Sequence, residues 1–185
     1  LTEVCFNQKL GGVCINENFA EFIEHRWHNK NCRLIFTDGS KTGRLVGAAF
    51  VDVQSEGIFK FKLREETGSY SAELISIIQA LDHVLSSPYQ LNQNILICSD
   101  SPSSLQTLSA PYLSKFRNHL IVELVKLVNT CRVNGVNVHF LWVRSHVGLL
   151  FNERVDIAAK RAAQEGHVLT CKLPREEFPF KKTII

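Results

Sequence analysis

Apolar positions along the chain recur with a period of two in some stretches and near 3.6 in others, and the switches between the two mark elements. Leu34-Ile35-Phe36-Thr37 is a short apolar run that ends abruptly in Asp38-Gly39-Ser40, which reads as a buried strand delivering a carboxylate to the rim of a sheet. Lys41-Thr42-Gly43 is a turn. Arg44 to Val53 is a second strand whose small residues Gly47, Ala48 and Ala49 suit close packing. Gln54-Ser55-Glu56-Gly57 is a hairpin connection. Ile58 to Leu63 alternates strictly, with Phe59, Phe61 and Leu63 on one face and Ile58, Lys60 and Lys62 on the other, as a strand at the sheet edge does.

After a polar connection over 64–70 the period changes. Leu74, Ile78, Leu81 and Leu85 form one stripe of a helix over Ser71 to Leu85, stopped by Ser86-Ser87-Pro88. Ile95 to Cys98 is an all-apolar strand that ends in Ser99-Asp100-Ser101-Pro102. A brief helix over Leu105 to Leu108 follows. A longer one spans Tyr112 to Val133, with Leu113, Phe116, Leu120, Leu124, Leu127 and Cys131 as its stripe and Asn134-Gly135 as its stop. Val136 to Val143 is the last strand, and Arg144 to Leu150 is a loop carrying His146 and Gly148. In the final helix, Asn152 to Gln164, Val155, Ala158, Ala159 and Ala162 pack while Glu153, Arg154, Lys160 and Arg161 stay wet. The order β-β-β-α-β-α-α-β-α predicts an antiparallel meander, then strands that arrive through helical crossovers and pair in parallel. That is an α/β fold with a mixed five-stranded sheet and helices on both faces.

The flanks are less patterned. Residues 1–31 read as an N-terminal linker with a short amphipathic helix over Glu17 to His28. Its His25 and His28, with Cys5, Cys14 and Cys32, match no paired zinc spacing. Residues 167–185, with Pro174, Pro179 and Lys181-Lys182, read as an extended tail. The domain proper is placed at 32–166.

Composition narrows this picture only modestly. The chain has 185 residues, 45% hydrophobic and 21% charged, enough for one domain with a real core. A net charge of +3 permits a nucleic-acid partner without requiring one. Its six cysteines include no C-x-x-C pair, which suits thiols used as small hydrophobes in a reducing, intracellular compartment, cytoplasm or nucleus. No run approaches the roughly 20 apolar residues needed to span a bilayer. Methionine is absent, even at position 1, so the chain reads as a piece of a longer or processed product.

The chemistry lies in the acids. Asp38 and Asp100 are each expected at the C-terminal end of a strand, where open α/β sheets build their sites. Glu73 falls in the first turn of a helix that can lean over the same rim, and Asp156 lies ten residues beyond His146. Taken singly, each has an ordinary structural explanation: a turn, a cap, or a helix N-terminus that favours acids. Converging, four acids without matching bases need divalent cations among them. Hard oxygen ligands suit Mg2+ or Mn2+, and two such ions roughly 4 Å apart support phosphodiester cleavage.

Five stretches in register with the element order resemble the type 1 ribonuclease H family. They are Ile35-Phe36-Thr37-Asp38-Gly39-Ser40, Ser71-Ala72-Glu73-Leu74, Ser99-Asp100-Ser101, Trp142-Val143-x-Ser145-His146-x-Gly148 and Asn152-Glu153-Arg154-x-Asp156. Within the family the chain is most similar to the ribonuclease H domains of non-long-terminal-repeat retrotransposon reverse transcriptases. The resemblance implies that Asp38, Glu73, Asp100 and Asp156 hold two Mg2+ ions, with Mn2+ able to substitute. It implies that His146 assists proton movement or product release, and that the substrate is the RNA strand of an RNA·DNA hybrid. Gly39, Ser40, Ser101 and Asn152 are the expected nucleic-acid contacts, with Lys41, Arg44, Lys115, Arg117 and Lys126 as candidate phosphate neighbours. Ser69-Tyr70 stands where many cellular enzymes carry paired asparagines. Asn134-Gly135 turns directly where they carry a basic, tryptophan-rich insertion. The first feature fits the retroelement branch better, and the second implies weak hybrid binding by the isolated domain, expected as a monomer, and reliance on an attached reverse transcriptase for grip. The competing expectation is a catalytically silent tether or hybrid-binding domain. A third, another nuclease or strand-transfer enzyme of the superfamily, fits less well because such enzymes usually lack the joined His146 to Asp156 stretch.

Overall fold

The computed structural model describes residues 4–6, 19, 21, 23, 32–87, 93–109, 118–174 and 177. The elements, in chain order, are β1 (Val4–Phe6), β2 (Cys32–Thr42), β3 (Leu45–Asp52), β4 (Gly57–Lys62), α1 (Ser69–Ser86), β5 (Asn94–Ser99), α2 (Pro102–Ser109), α3 (His119–Val133), β6 (Asn137–Trp142), α4 (Leu150–Glu165) and β7 (His167–Val168). They form one sheet of seven strands in the order β1-β6-β5-β2-β3-β4-β7. The five strands expected from the pattern are its centre. β2, β3 and β4 make the antiparallel meander, and β5 and β6 continue it in parallel. The short β1 and β7, which no periodicity announces, add one strand at each edge by parallel pairing to β6 and β4.

Alternation along the strands divides the core into two layers. Ile35, Val46, Ala48, Phe50, Ile95 and Ile97 face α1 and α3. Phe36, Ala49, Val51, Leu96, Cys98 and Leu141 face α4, where Phe19 from the N-terminal flank also packs. Small residues set the spacing of the second layer: a Cβ on Gly47 would lie 2.3 Å from the Ala159 carbonyl oxygen, so α4 rests directly on the β3 backbone. The C-terminal flank is also packed, with Leu169 N donating to the Lys62 carbonyl and Leu173 only 4% exposed. Cys98 and Cys131 are buried free thiols, as their apolar settings predict, and Cys171 is a half-buried one. No helix of the described residues is long and apolar enough to cross a membrane.

Three boundaries differ from the pattern, each for a physical reason. β2 does not stop at Thr37: it runs through Asp38-Gly39-Ser40 to Thr42, because β3 continues to pair with it. α1 starts at Ser69, with Gly68 as N-cap and Thr67 held by Lys41. α2 starts at Pro102, a residue suited to a first turn, and runs to Ser109. The helix expected over Glu17 to His28, apart from helical Phe19, Glu21 and Ile23, lies outside the described residues. So do the side chains of Cys5, Cys14, His25 and His28, the start of the Tyr112 to Val133 helix, Lys115, Arg117, Pro179 and Lys181-Lys182.

One buried acid belongs to the scaffold. Asp52, fully buried, accepts from Arg33 Nη2 at 2.7 Å, Ser55 Oγ at 2.6 Å and Gln54 N at 3.3 Å. The Arg33 guanidinium also donates to His83 Nε2 at 3.1 Å, which fixes that ring nitrogen as an acceptor. His83 in turn packs on Phe59, ring centroids 4.4 Å apart. Burial alone would raise the Asp52 pKa, but the hydrogen bonds from Arg33 and Ser55 outweigh it and hold the carboxyl below its ordinary range.

Candidate active site

Asp38 lies within β2, opposite Ala49 of β3. Its parallel neighbour β5 ends sooner: Thr37 pairs with Ser99, the last residue of β5, and Asp100 follows it. The two acids are therefore adjacent at the edge of the parallel half, although Asp38 itself is not strand-terminal. By alternation Asp38 shares the α4 face with Phe36, whereas Glu73 comes from α1 on the other face. Gly39 lets them meet. A Cβ there would lie 2.3 Å from Glu73 N and 2.4 Å from the Ala72 carbonyl carbon, so only glycine lets α1 sit this close to β2.

The result is a compact acidic cluster. One carboxylate oxygen each from Asp38, Glu73 and Asp100 lies within 4.8 Å of the others. Asp38 is only 7% exposed. Burial first, then the charges of Asp100 and Asp156, push its pKa up to about 7, against the opposing pull of the Gly39 N–H and Lys160. Glu73 is pushed well above the ordinary carboxylate range by burial and by the charges of Asp38 and Asp100. Its Oε2 is buried and has no hydrogen-bond partner. Asp100 is raised by burial, although hydrogen bonds from Asn152 and Ser145 oppose the rise. Trp142 Nε1 fixes the Asp100 backbone by donating to its carbonyl at 3.2 Å.

Asp156, the fourth acid, faces another group. Its carboxylate lies within 4.8 Å of ligand atoms of both His146 and Glu153, and Lys160 Nζ donates to its Oδ2 at 2.7 Å. His146 is exposed and has φ 52°, in a loop that turns again at Gly148 with φ 79°. Gly148 N reaches Glu153 Oε1 at 3.4 Å, which ties the loop to α4.

The other expected contacts have internal partners. Asn152 is 3% exposed and serves the Asp100 carboxyl. Ser101 is 9% exposed and bonds Ser104 Oγ at 2.9 Å. Ser40 follows Gly39 along β2, half-buried. Lys41 Nζ donates to the carbonyls of Glu65 at 3.0 Å and Thr67 at 2.6 Å, so it braces the loop leading into α1. Arg44 is largely exposed and 3.5 Å from Glu65, and Lys126 is exposed on α3. Sequence reasoning gave no role to Lys160, Glu153 or Ser145. Only Lys160 carried a signal, four residues after Asp156 on one helix.

The donor set fits divalent cations. Three carboxylates in mutual repulsion, one with an unpartnered buried oxygen, are stable together when a hard cation takes those lone pairs. Asp38, Glu73 and Asp100, with Asp156 beside them, are the residues that would hold it.

The search of curated proteins found no match. The family model for RNase H matches residues 30–164, which contain the whole meander, both parallel strands and every acid of the cluster. With that match across most of its length and Asp38, Glu73 and Asp100 brought to one point, the chain belongs to the ribonuclease H family.

Proposed function

We propose that the domain cuts the RNA strand of RNA·DNA hybrids endonucleolytically, using two Mg2+ ions, as the ribonuclease H part of a retroelement reverse transcriptase. The observation that carries the reading is the convergence of the Asp38, Glu73 and Asp100 carboxylates within 4.8 Å of one another, with Glu73 Oε2 buried and unpartnered. When bound, the cations supply an activated water and charge neutralisation at the scissile phosphate. The protein's share is positional. Gly39 admits Glu73 to the cluster, Asn152 and Ser145 orient the Asp100 carboxylate, and Trp142 holds its backbone. Water oxygen bonds to phosphorus as the bond from phosphorus to the 3′-oxygen breaks, giving a 5′-phosphate and a 3′-hydroxyl. His146, exposed on its loop beside Asp156, delivers or relays the proton that the departing 3′-oxygen takes up.

The retroelement assignment rests on two features of the chain. Ser69 and Tyr70 open α1, and the Tyr70 hydroxyl is engaged by Thr107 at 2.8 Å. Between α3 and β6 the chain turns through Asn134-Gly135 with no insertion. In this reading the domain relies on an attached polymerase for affinity. Incubation with labelled RNA·DNA hybrid, double-stranded RNA and double-stranded DNA in Mg2+ tests the reading. Hybrid-only cleavage that disappears in Asp100→Asn supports it. Binding without cleavage in both Mg2+ and Mn2+ replaces it with a silent hybrid-binding tether.

A further inference from the structure

The four acids are not equivalent. Asp38, Glu73 and Asp100 converge on one another, whereas Asp156 is already paired with a cation supplied by its own helix, Lys160 Nζ at 2.7 Å. The pair is spaced i,i+4 on α4, with Asp156 20% and Lys160 55% exposed in their side chains. Lys160 also feels the charges of Asp38 and Glu153. A carboxylate oxygen that accepts from an ammonium at this distance has that lone pair occupied.

We propose that Lys160 is an internal counter-ion that holds Asp156 in the metal-free state and must release it before Asp156 can ligate a divalent cation. Lys160 is thus a positioning residue that sets the affinity of the cation position served by Asp156 without touching the substrate. The other three acids have no such substitute. Filling the Asp38, Glu73 and Asp100 position displaces no ion pair, while filling the Asp156 position displaces one. The ion pair therefore weakens the Asp156 position relative to the other. Exposed helical ion pairs are individually weak. The latch accordingly shifts affinity by a few-fold and leaves the second position reachable.

The inference rests on the two-cation reading above, and calorimetric titration of the full chain with Mn2+ separates the two. Wild type, Lys160→Ala, Lys160→Arg, Asp156→Asn and the Lys160→Ala/Asp156→Asn double variant are compared without nucleic acid. The expected result is about threefold tighter binding at the weaker position in Lys160→Ala, with Lys160→Arg close to wild type. The effect vanishes when Asp156 is already asparagine. An equal gain from Lys160→Ala in the Asp156→Asn background overturns the latch, because it shows only a general loss of positive field. No gain in either background also overturns it while leaving the two-cation reading intact. Failure of wild type to bind any Mn2+ overturns both.

Discussion

Replacing Asp38 with asparagine is expected to destroy the site and stabilise the fold. In the metal-free protein the Asp38 pKa stands at about 7 against an ordinary 3.8. Between those values the folded state binds more protons than the unfolded one, so stability falls as pH rises through that window and the full cost is present above about pH 7. At about 1.4 kcal/mol per pH unit the rise corresponds to roughly 4 kcal/mol. Because Glu73 and Asp100 share the same field, the cost cannot all be assigned to Asp38, and about 3 kcal/mol is the working figure for one removal. Asparagine keeps the shape and still accepts from the Gly39 N–H. In thermal unfolding with a chelator at pH 8, Asp38→Asn should melt about 6–12 °C above wild type for a chain of this size. At pH 5 most of the gap should close. Adding Mg2+ at pH 8 should raise the wild-type melting temperature and leave the variant nearly unmoved. A variant that melts at or below wild type at pH 8, or a wild type that gains stability between pH 5 and pH 8 without metal, would refute the account of the site as a reservoir of electrostatic strain.

Three further outcomes follow from the packing. Gly39→Ala should cost about 3 kcal/mol in urea unfolding and weaken Mn2+ binding, because its methyl group meets the α1 backbone at 2.3 Å and pushes Glu73 away. Asp52→Ala should cost about 3 kcal/mol at pH 7 by leaving the part-buried Arg33 guanidinium without its carboxylate. The Asp52 contribution is present above its unfolded pKa and lost as pH falls through its lower folded pKa, so the variant should also lose part of the wild-type acid-unfolding transition. Leu173→Ala should cost about 2–3 kcal/mol if the C-terminal flank belongs to the folded unit, read by the same unfolding assay.

The central sheet was legible because its information is local. Strict alternation in Ile58 to Leu63, the all-apolar Ile95 to Cys98 and the helical stripe of Leu74, Ile78 and Leu81 each specify an element without reference to the rest. The edges were not legible for the opposite reason. β1 and β7 are strands only because β6 and β4 offer them open backbone groups, and pairing of that kind leaves no period in Val4–Phe6 or His167–Val168. The end of β2 was misplaced on the same ground. Asp-Gly usually signals a turn, but here β3 carries the strand past it, and glycine is required by a helix 33 residues downstream that no local pattern reveals.

The acids of the candidate site were found by their order along the chain, yet order alone does not separate a metal ligand from a scaffold acid. Asp52 is as buried as Asp38 and also lies in a central strand. What separates them is the supply of donors. Asp52 is met by an arginine, a serine hydroxyl and a backbone N–H, so its lone pairs are occupied and its pKa is held low. Asp38 and Glu73 are met mainly by each other and Asp100, with the Gly39 N–H as the named backbone donor, so their pKa values rise and Glu73 keeps a bare buried oxygen. A cation added to the first group competes with an arginine already in place, whereas one added to the second meets carboxylates that repel one another. Burial of carboxylates therefore marks a site here only where the protein has withheld the donors, and at Asp156 a side-chain cation, Lys160, stands in.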